Sequence, residues 1–229
     1  MNGTSNLASG IFLLSSWFMK LTVSNLLWLI CQLPLIWIIV QMFYAESQTT
    51  VLGYVLLTFL FFPFLFFPAT TALFSLVREW LIGEEENSII KAYFSYYKES
   101  YKRSVKAGGV LSVLWGICLA DIYYFYQSNV IFFLFFIGLG IVLFIYTINF
   151  FSAFSHYEIP LKDVYKKAFY ITFGSPILSV VIFMSSLALM YLSLKGYIVL
   201  IIFFNASILA LLSFSSFYRI YRKATFMAE

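Results

Sequence analysis

Six apolar stretches, each long enough to cross a bilayer, are separated by segments that alternate between rich and poor in positive charge. A membrane-crossing helix needs about 20 mostly apolar residues. That length places spans at about 22–43, 51–77, 107–126, 129–155, 168–192 and 197–218. The first is interrupted by Pro34, the second by Pro63 and Pro68, and the fifth by Pro176. The expectation is an all-α membrane protein, a six-helix transmembrane bundle forming a single integral membrane domain over residues 1–229.

The charges give the bundle a direction. Of the 14 Lys and Arg residues, all but Lys195 fall in the N-terminal arm, the 78–106 and 156–167 segments, or the C-terminal tail. Basic residues flank spans on the cytoplasmic side. Both termini and the two longer loops, 78–106 and 156–167, are therefore expected in the cytoplasm. The cell (plasma) membrane is the expected location, and the turns on the far side are too short to fold.

Composition agrees. Hydrophobic residues make up 62% and charged residues 10%, against about 45–50% and 25% in soluble domains. The net charge of +4 reads as membrane topology and contact with membrane lipids rather than nucleic-acid binding, because no basic patch stands on a polar domain. Cys31 and Cys118 both lie inside apolar spans, which argues against a disulfide framework. One histidine and two cysteines in separate spans lack ligand spacing, so no metal is expected, and no cofactor-binding motif is present. No basic residue precedes the first apolar run, so the first span is expected to remain as an uncleaved helix.

Two segments outside the spans carry helical stripes. Over 1–20, Leu7, Ile11, Leu14 and Phe18 recur at helical spacing, continued by Leu21, which predicts an interfacial helix lying on the membrane before the first span. Within 78–106, Glu84, Glu85 and Glu86 precede Asn87-Ser88, a plausible helix cap. Beyond it Ile90, Phe94, Tyr97 and Tyr101 form one stripe, and Lys91, Lys98, Lys102 and Lys106 a neighbouring one. This predicts a cytoplasmic amphipathic helix suited to head groups or to a partner. Lys162, Lys166 and Lys167 with Val164, Tyr165 and Phe169 form a shorter echo, suggesting a parallel repeat of two hairpins.

Several segments together resemble the YesL family of bacterial integral membrane proteins of unknown function. They are Asn25-Leu26-Leu27-Trp28-Leu29, Pro68-Ala69-Thr70-Thr71-Ala72-Leu73, and Gly83 followed by the aromatic, Lys-rich run from Phe94 to Lys106. The likeness extends over about residues 7–222, loosely in the second half. Members of that family are typically encoded beside carbohydrate ABC importers and glycan-degrading enzymes. The resemblance thus implies a role in sugar uptake and supplies no catalytic residues.

Within the spans, Pro63 and Pro68 each remove a helical hydrogen bond. Two readings stand open: a broken helix whose freed carbonyls, with Thr70 and Thr71, build a solute site, or a kink that lets small residues pack. Asn25 and Asn149 are either part of that site or interhelical hydrogen-bonding groups. Ser152 and His156 are spaced i,i+4, but no third group orients them, so an enzyme is not expected.

Three functional expectations follow. The first is a non-catalytic accessory component of a carbohydrate (ABC-type) uptake system, docking on importer permease subunits through Tyr93, Phe94, Tyr97, Lys98, Lys102 and Arg103. The second is a stand-alone small transporter or channel for a carbohydrate or related solute, a homodimer with its site near Asn25, Pro63, Pro68, Thr70, Thr71 and Asn149. The third is a membrane scaffold or sensor.

Overall fold

The computed structural model describes residues 3–83 and 88–226, and among these every regular element is helical. The helices are α1 (Gly3–Phe43), α2 (Gln48–Ile82), α3 (Ile89–Ser128), α4 (Val130–His156), α5 (Leu161–Gly174), α6 (Pro176–Leu194), α7 (Ile198–Phe203) and α8 (Asn205–Phe226). Five of them are long and apolar enough to cross a membrane: α1 from Gly10, and α2, α3, α4 and α6. The protein is an all-helical membrane protein.

Local chemistry sets the helix ends. Ser47 caps α2, its hydroxyl accepting from the amide of Thr50 at 3.1 Å. Gly83 ends the same helix at φ 88°, a left-handed conformation that glycine adopts without a Cβ penalty. Asn129 turns α3 into α4 in a single residue, its Oδ1 accepting from the amides of Ile131 at 2.9 Å and Phe132 at 3.3 Å.

Several boundaries differ from expectation. The interfacial helix over 1–20 and the span at 22–43 are one helix of 41 residues, about 60 Å at 1.5 Å per residue. Nothing between them breaks a helix. Ser15 and Ser16 turn their hydroxyls back onto the carbonyls of Phe12 and Leu13, and Trp17 packs edge-on against Trp80 of α2. The 78–106 loop contracts likewise. α2 continues to Ile82 and α3 begins at Ile89, so the basic amphipathic segment is the N-terminal part of α3 rather than a separate helix. Ser88 occupies the cap position without a side-chain bond, and Glu84, Glu85, Glu86 and Asn87 lie outside the described residues.

The interruptions also lie elsewhere. α2 runs unbroken through Pro63 and Pro68, and both prolines are buried. The fifth segment is divided instead at Ser175, before Pro176, and most of the 156–167 loop is absorbed into α5. The sixth is divided at Phe204 into α7 and α8, and neither piece has the length and apolarity of a crossing helix.

The core is displaced toward one end of the bundle. Buried residues of α2 all lie between Pro63 and Trp80, those of α4 between Ile145 and Ser155. They join Tyr93 and Leu111 of α3, Val164 and Ala168 of α5, and Phe214 and Phe217 of α8 in one cluster. Gly108 sets the α2–α3 distance: a Cβ there would lie 2.6 to 2.9 Å from Phe67 side-chain atoms. Toward the other end, Leu56, Leu60, Val113, Ile131 and Phe135 face outward, as lipid contact requires.

Candidate functional site

At the well-packed end, arginines from two helices cap the C-terminus of α4. The last carbonyls of a helix lack internal partners and carry partial negative charge. Arg78 of α2 donates to the carbonyl of Ser155 at 3.0 Å. Arg103 of α3 donates to the carbonyls of Tyr157, at 3.3 Å, and Ile159, with its guanidinium over the Phe154 ring at 4.5 Å. Lys167 of α5 sits over the Tyr157 ring at 3.8 Å, and Lys20 of α1 over both Trp17 and Trp80. Basic residues from α1, α2, α3 and α5 therefore gather at one end. Tyr165 ties α5 to α3 by donating to the carbonyl of Ala107 at 3.0 Å. Burial, with Tyr146 adding, pushes its pKa up to about 12, so it keeps its proton at any physiological pH.

The six residues expected to dock a partner divide into two groups. Tyr93 is fully buried and donates to the carbonyl of Ala69 at 3.1 Å. It is a strut between α2 and α3, not a docking group. Arg103 is likewise committed within the chain. Tyr97 is half-buried, its ring 5.6 Å from that of Tyr101. Phe94, Lys98 and Lys102 are exposed, and Lys91 and Lys106 extend the same face.

The residues expected to form a solute site do not converge. Asn25 is buried and spans the break in the sixth segment. Its Nδ2 donates to the carbonyls of Ile201 at 3.1 Å and Ile202 at 2.7 Å, and its Oδ1 accepts from the amides of Ala206 at 2.9 Å and Ser207 at 3.1 Å. One carboxamide thus caps α7 and starts α8. Thr70 accepts from Trp28 Nε1 at 3.0 Å, joining α1 to α2. Thr71 shares a hydrogen bond with Ser104 at 2.8 Å, joining α2 to α3. Asn149 donates to Thr172 at 3.0 Å, joining α4 to α5. Each polar side chain closes a different helix contact. Ser152 donates to the carbonyl of Ile148, one turn back in its own helix, while the His156 ring lies among aromatics, 4.4 Å from that of Tyr221.

A cavity of about 1140 Å³ lies at the loosely packed end, between the C-terminal part of α1, the N-terminal half of α2 and the facing parts of α3 and α4. Phe59, Phe62, Phe66 and Phe151 form its inner walls, and Glu46, Ser47 and Gln48 stand at the α1–α2 turn. None of the residues expected for a solute site lines it. Trp115, Thr147 and Thr58 do, and a scan for unusual polar residues in spans passes over them because Thr and Trp are ordinary there.

Residues 21–122 match the family described as "Protein of unknown function, DUF624". The chain is 23% identical over 222 residues to the uncharacterized protein YesL of Bacillus subtilis (strain 168), covering 93% of this chain and 91% of that one. It is 27% identical over 113 residues to the uncharacterized protein YteU of the same organism, covering 49% of this chain and 40% of YteU. No solved structure matches. The matched stretch holds Asn25, Trp28, Thr70, Tyr93, Arg103 and Gly108, the residues that join α1, α2 and α3 to one another and to the rest of the fold. The chain is thus similar to YesL over nearly its whole length, and its residues 21–122 carry the match to the family of unknown function.

Proposed function

We propose that the protein is a non-catalytic membrane subunit, oriented in the bacterial cell membrane with its basic end and both termini in the cytoplasm, that docks a partner on the exposed face of α3. The observation that carries this reading is the surface formed by Lys91, Phe94, Lys98 and Lys102. These side chains project from a helix fixed beneath by Tyr93 and Arg103, so the face is presented without an ordering cost at binding. Exposed aromatic and basic groups on a rigid helix suit an acidic, partly apolar partner surface. The family resemblance supports a partner among the permease subunits of a carbohydrate ABC-type importer.

A stand-alone carrier for a sugar has less support. It needs converging hydrogen-bonding groups, and Asn25, Thr70, Thr71 and Asn149 all bond within the chain at separate contacts.

The test is affinity purification in mild detergent from a host grown on the inducing glycan, comparing the parent with Lys98→Glu/Lys102→Glu. Permease subunits recovered with the parent and lost with the variant are the expected result. Equal recovery with both would remove the α3 face from the interaction. A parent that purifies alone, and moves solute in proteoliposomes, would favour the carrier.

A further inference from the structure

The cavity at the α1–α2 turn is not used by the docking reading, and its chemistry is specific. Its inner part offers almost no free hydrogen-bonding group. Thr58 donates to the carbonyl of Tyr54 at 2.8 Å, Trp115 Nε1 to Thr147 at 3.2 Å, and Thr147 to the carbonyl of Leu143 at 2.7 Å. A sugar would lose its hydration there with few partners to replace it, at a high desolvation cost. Apolar chains lose nothing.

Size and shape point the same way. The volume of about 1140 Å³ exceeds the roughly 300–1,000 Å³ of ordinary small-molecule pockets. Along α2 the lining runs from Gln48 to Phe66, about 27 Å at 1.5 Å per residue. That is deeper than one leaflet of a hydrocarbon core about 30 Å thick, so an extended acyl chain fits. The inner end is closed by the stacked rings of Phe62 and Phe66, 4.6 Å apart, with Phe151 6.1 Å from Phe66. All four walls belong to helices long and apolar enough to cross the bilayer, so lipid is the solvent at its rim.

Charge selects the head group. Glu46, exposed at the turn, is the one Lys, Arg, Asp or Glu among the lining residues, and no lysine or arginine lines the cavity. A carboxylate at the mouth attracts an ammonium group and repels a net-anionic head. We infer that the cavity holds a membrane glycerophospholipid with an amine-bearing head, its acyl chains against Phe62 and Phe66 and its head beside Glu46.

The test uses the full-length protein in nanodiscs of phosphatidylethanolamine and phosphatidylglycerol. Each head group is supplied in turn as a trace probe carrying a diazirine at the end of one acyl chain. After illumination, cross-linked peptides are mapped by mass spectrometry. The expected result is labelling concentrated in 59–66 and 144–151, with a several-fold preference for the phosphatidylethanolamine probe. Glu46→Gln, at an exposed turn, should abolish the preference and keep the labelling. Ala120→Trp, which places an indole in the cavity, should reduce the labelling. Labels spread evenly over outward-facing positions such as Val113, Ile131 and Val180 would overturn the site. Cavity labelling without head-group preference in the parent would overturn the role of Glu46.

Discussion

Asn25 holds the two helices that meet at Phe204: its amide nitrogen reaches the last carbonyls of α7 and its oxygen the first amides of α8. A helix end leaves such groups without partners, and in lipid there is no water to satisfy them. Here one side chain from α1 serves both ends.

Asn25→Ala should therefore destabilise the protein by on the order of 2–4 kcal/mol, since each orphaned buried group costs about 1–3 kcal/mol and the helix ends relax only in part. Asn25→Asp should be no better, because a carboxylate would face the Ile201 and Ile202 carbonyls. Chemical unfolding in detergent measures both. Unfolding of Asn25→Ala at the parent's midpoint would refute the bridging role.

Gly108 and Gly109 should respond oppositely to the same change. Gly108→Ala drives a methyl into the Phe67 ring and should cost about 1–3 kcal/mol through overpacking. Gly109 meets nothing within 4 Å, so Gly109→Ala should be neutral or slightly stabilising through helix propensity. Thermal melts of the two variants are the comparison. Phe67→Leu combined with Gly108→Ala should recover part of the loss, and absence of recovery would mean that the clash lies elsewhere.

Arg103 anchors the segment between α4 and α5. Arg103→Lys keeps the charge but loses the planar fork that reaches two carbonyls while covering Phe154. Hydrogen exchange over residues 157–160 should accelerate in this variant and stay at the parent rate in Lys102→Ala, whose side chain is exposed one position earlier. Equal rates in both would show that the segment is held by other contacts.

Tyr93 and Lys98 separate packing from docking on one helix. Tyr93→Phe removes a buried hydrogen bond and should lower stability by about 1 kcal/mol, leaving partner recovery unchanged. Lys98→Glu should do the reverse. A melting curve and a pull-down on each variant decide it, and partner loss in Tyr93→Phe at full stability would restore Tyr93 to the docking face.

The helical membrane class was readable from span length and hydropathy, because apolar runs of about 20 residues have few other uses. The partition of those runs was not. Pro63 and Pro68 signal a break by local rules, but α2 stays one continuous helix through both, with the prolines buried. The break at Phe204 has no local signal at all, since it is stabilised by a residue nearly the whole chain away. The stripe over 88–106 showed which faces were apolar and basic, yet not that Tyr93 turns inward, because the hydroxyl's partner on Ala69 exists only after α2 and α3 pack. The cavity was invisible for a related reason: it is the space left where Phe59, Phe62 and Phe66 meet Trp115 and Thr147, and no one segment encodes it.

The Asn25 bridge also orders assembly in time. Its partners follow it by 176 to 182 residues in the chain, and synthesis proceeds from the N-terminus. While the intervening helices are translated and inserted, α1 carries a carboxamide whose final acceptors do not yet exist. The last helices then complete a joint that the earliest part of the protein has kept open. A nascent chain stopped short of α7 has neither the carbonyls nor the amides that satisfy this side chain, so its first hydrophobic helix still carries an open joint.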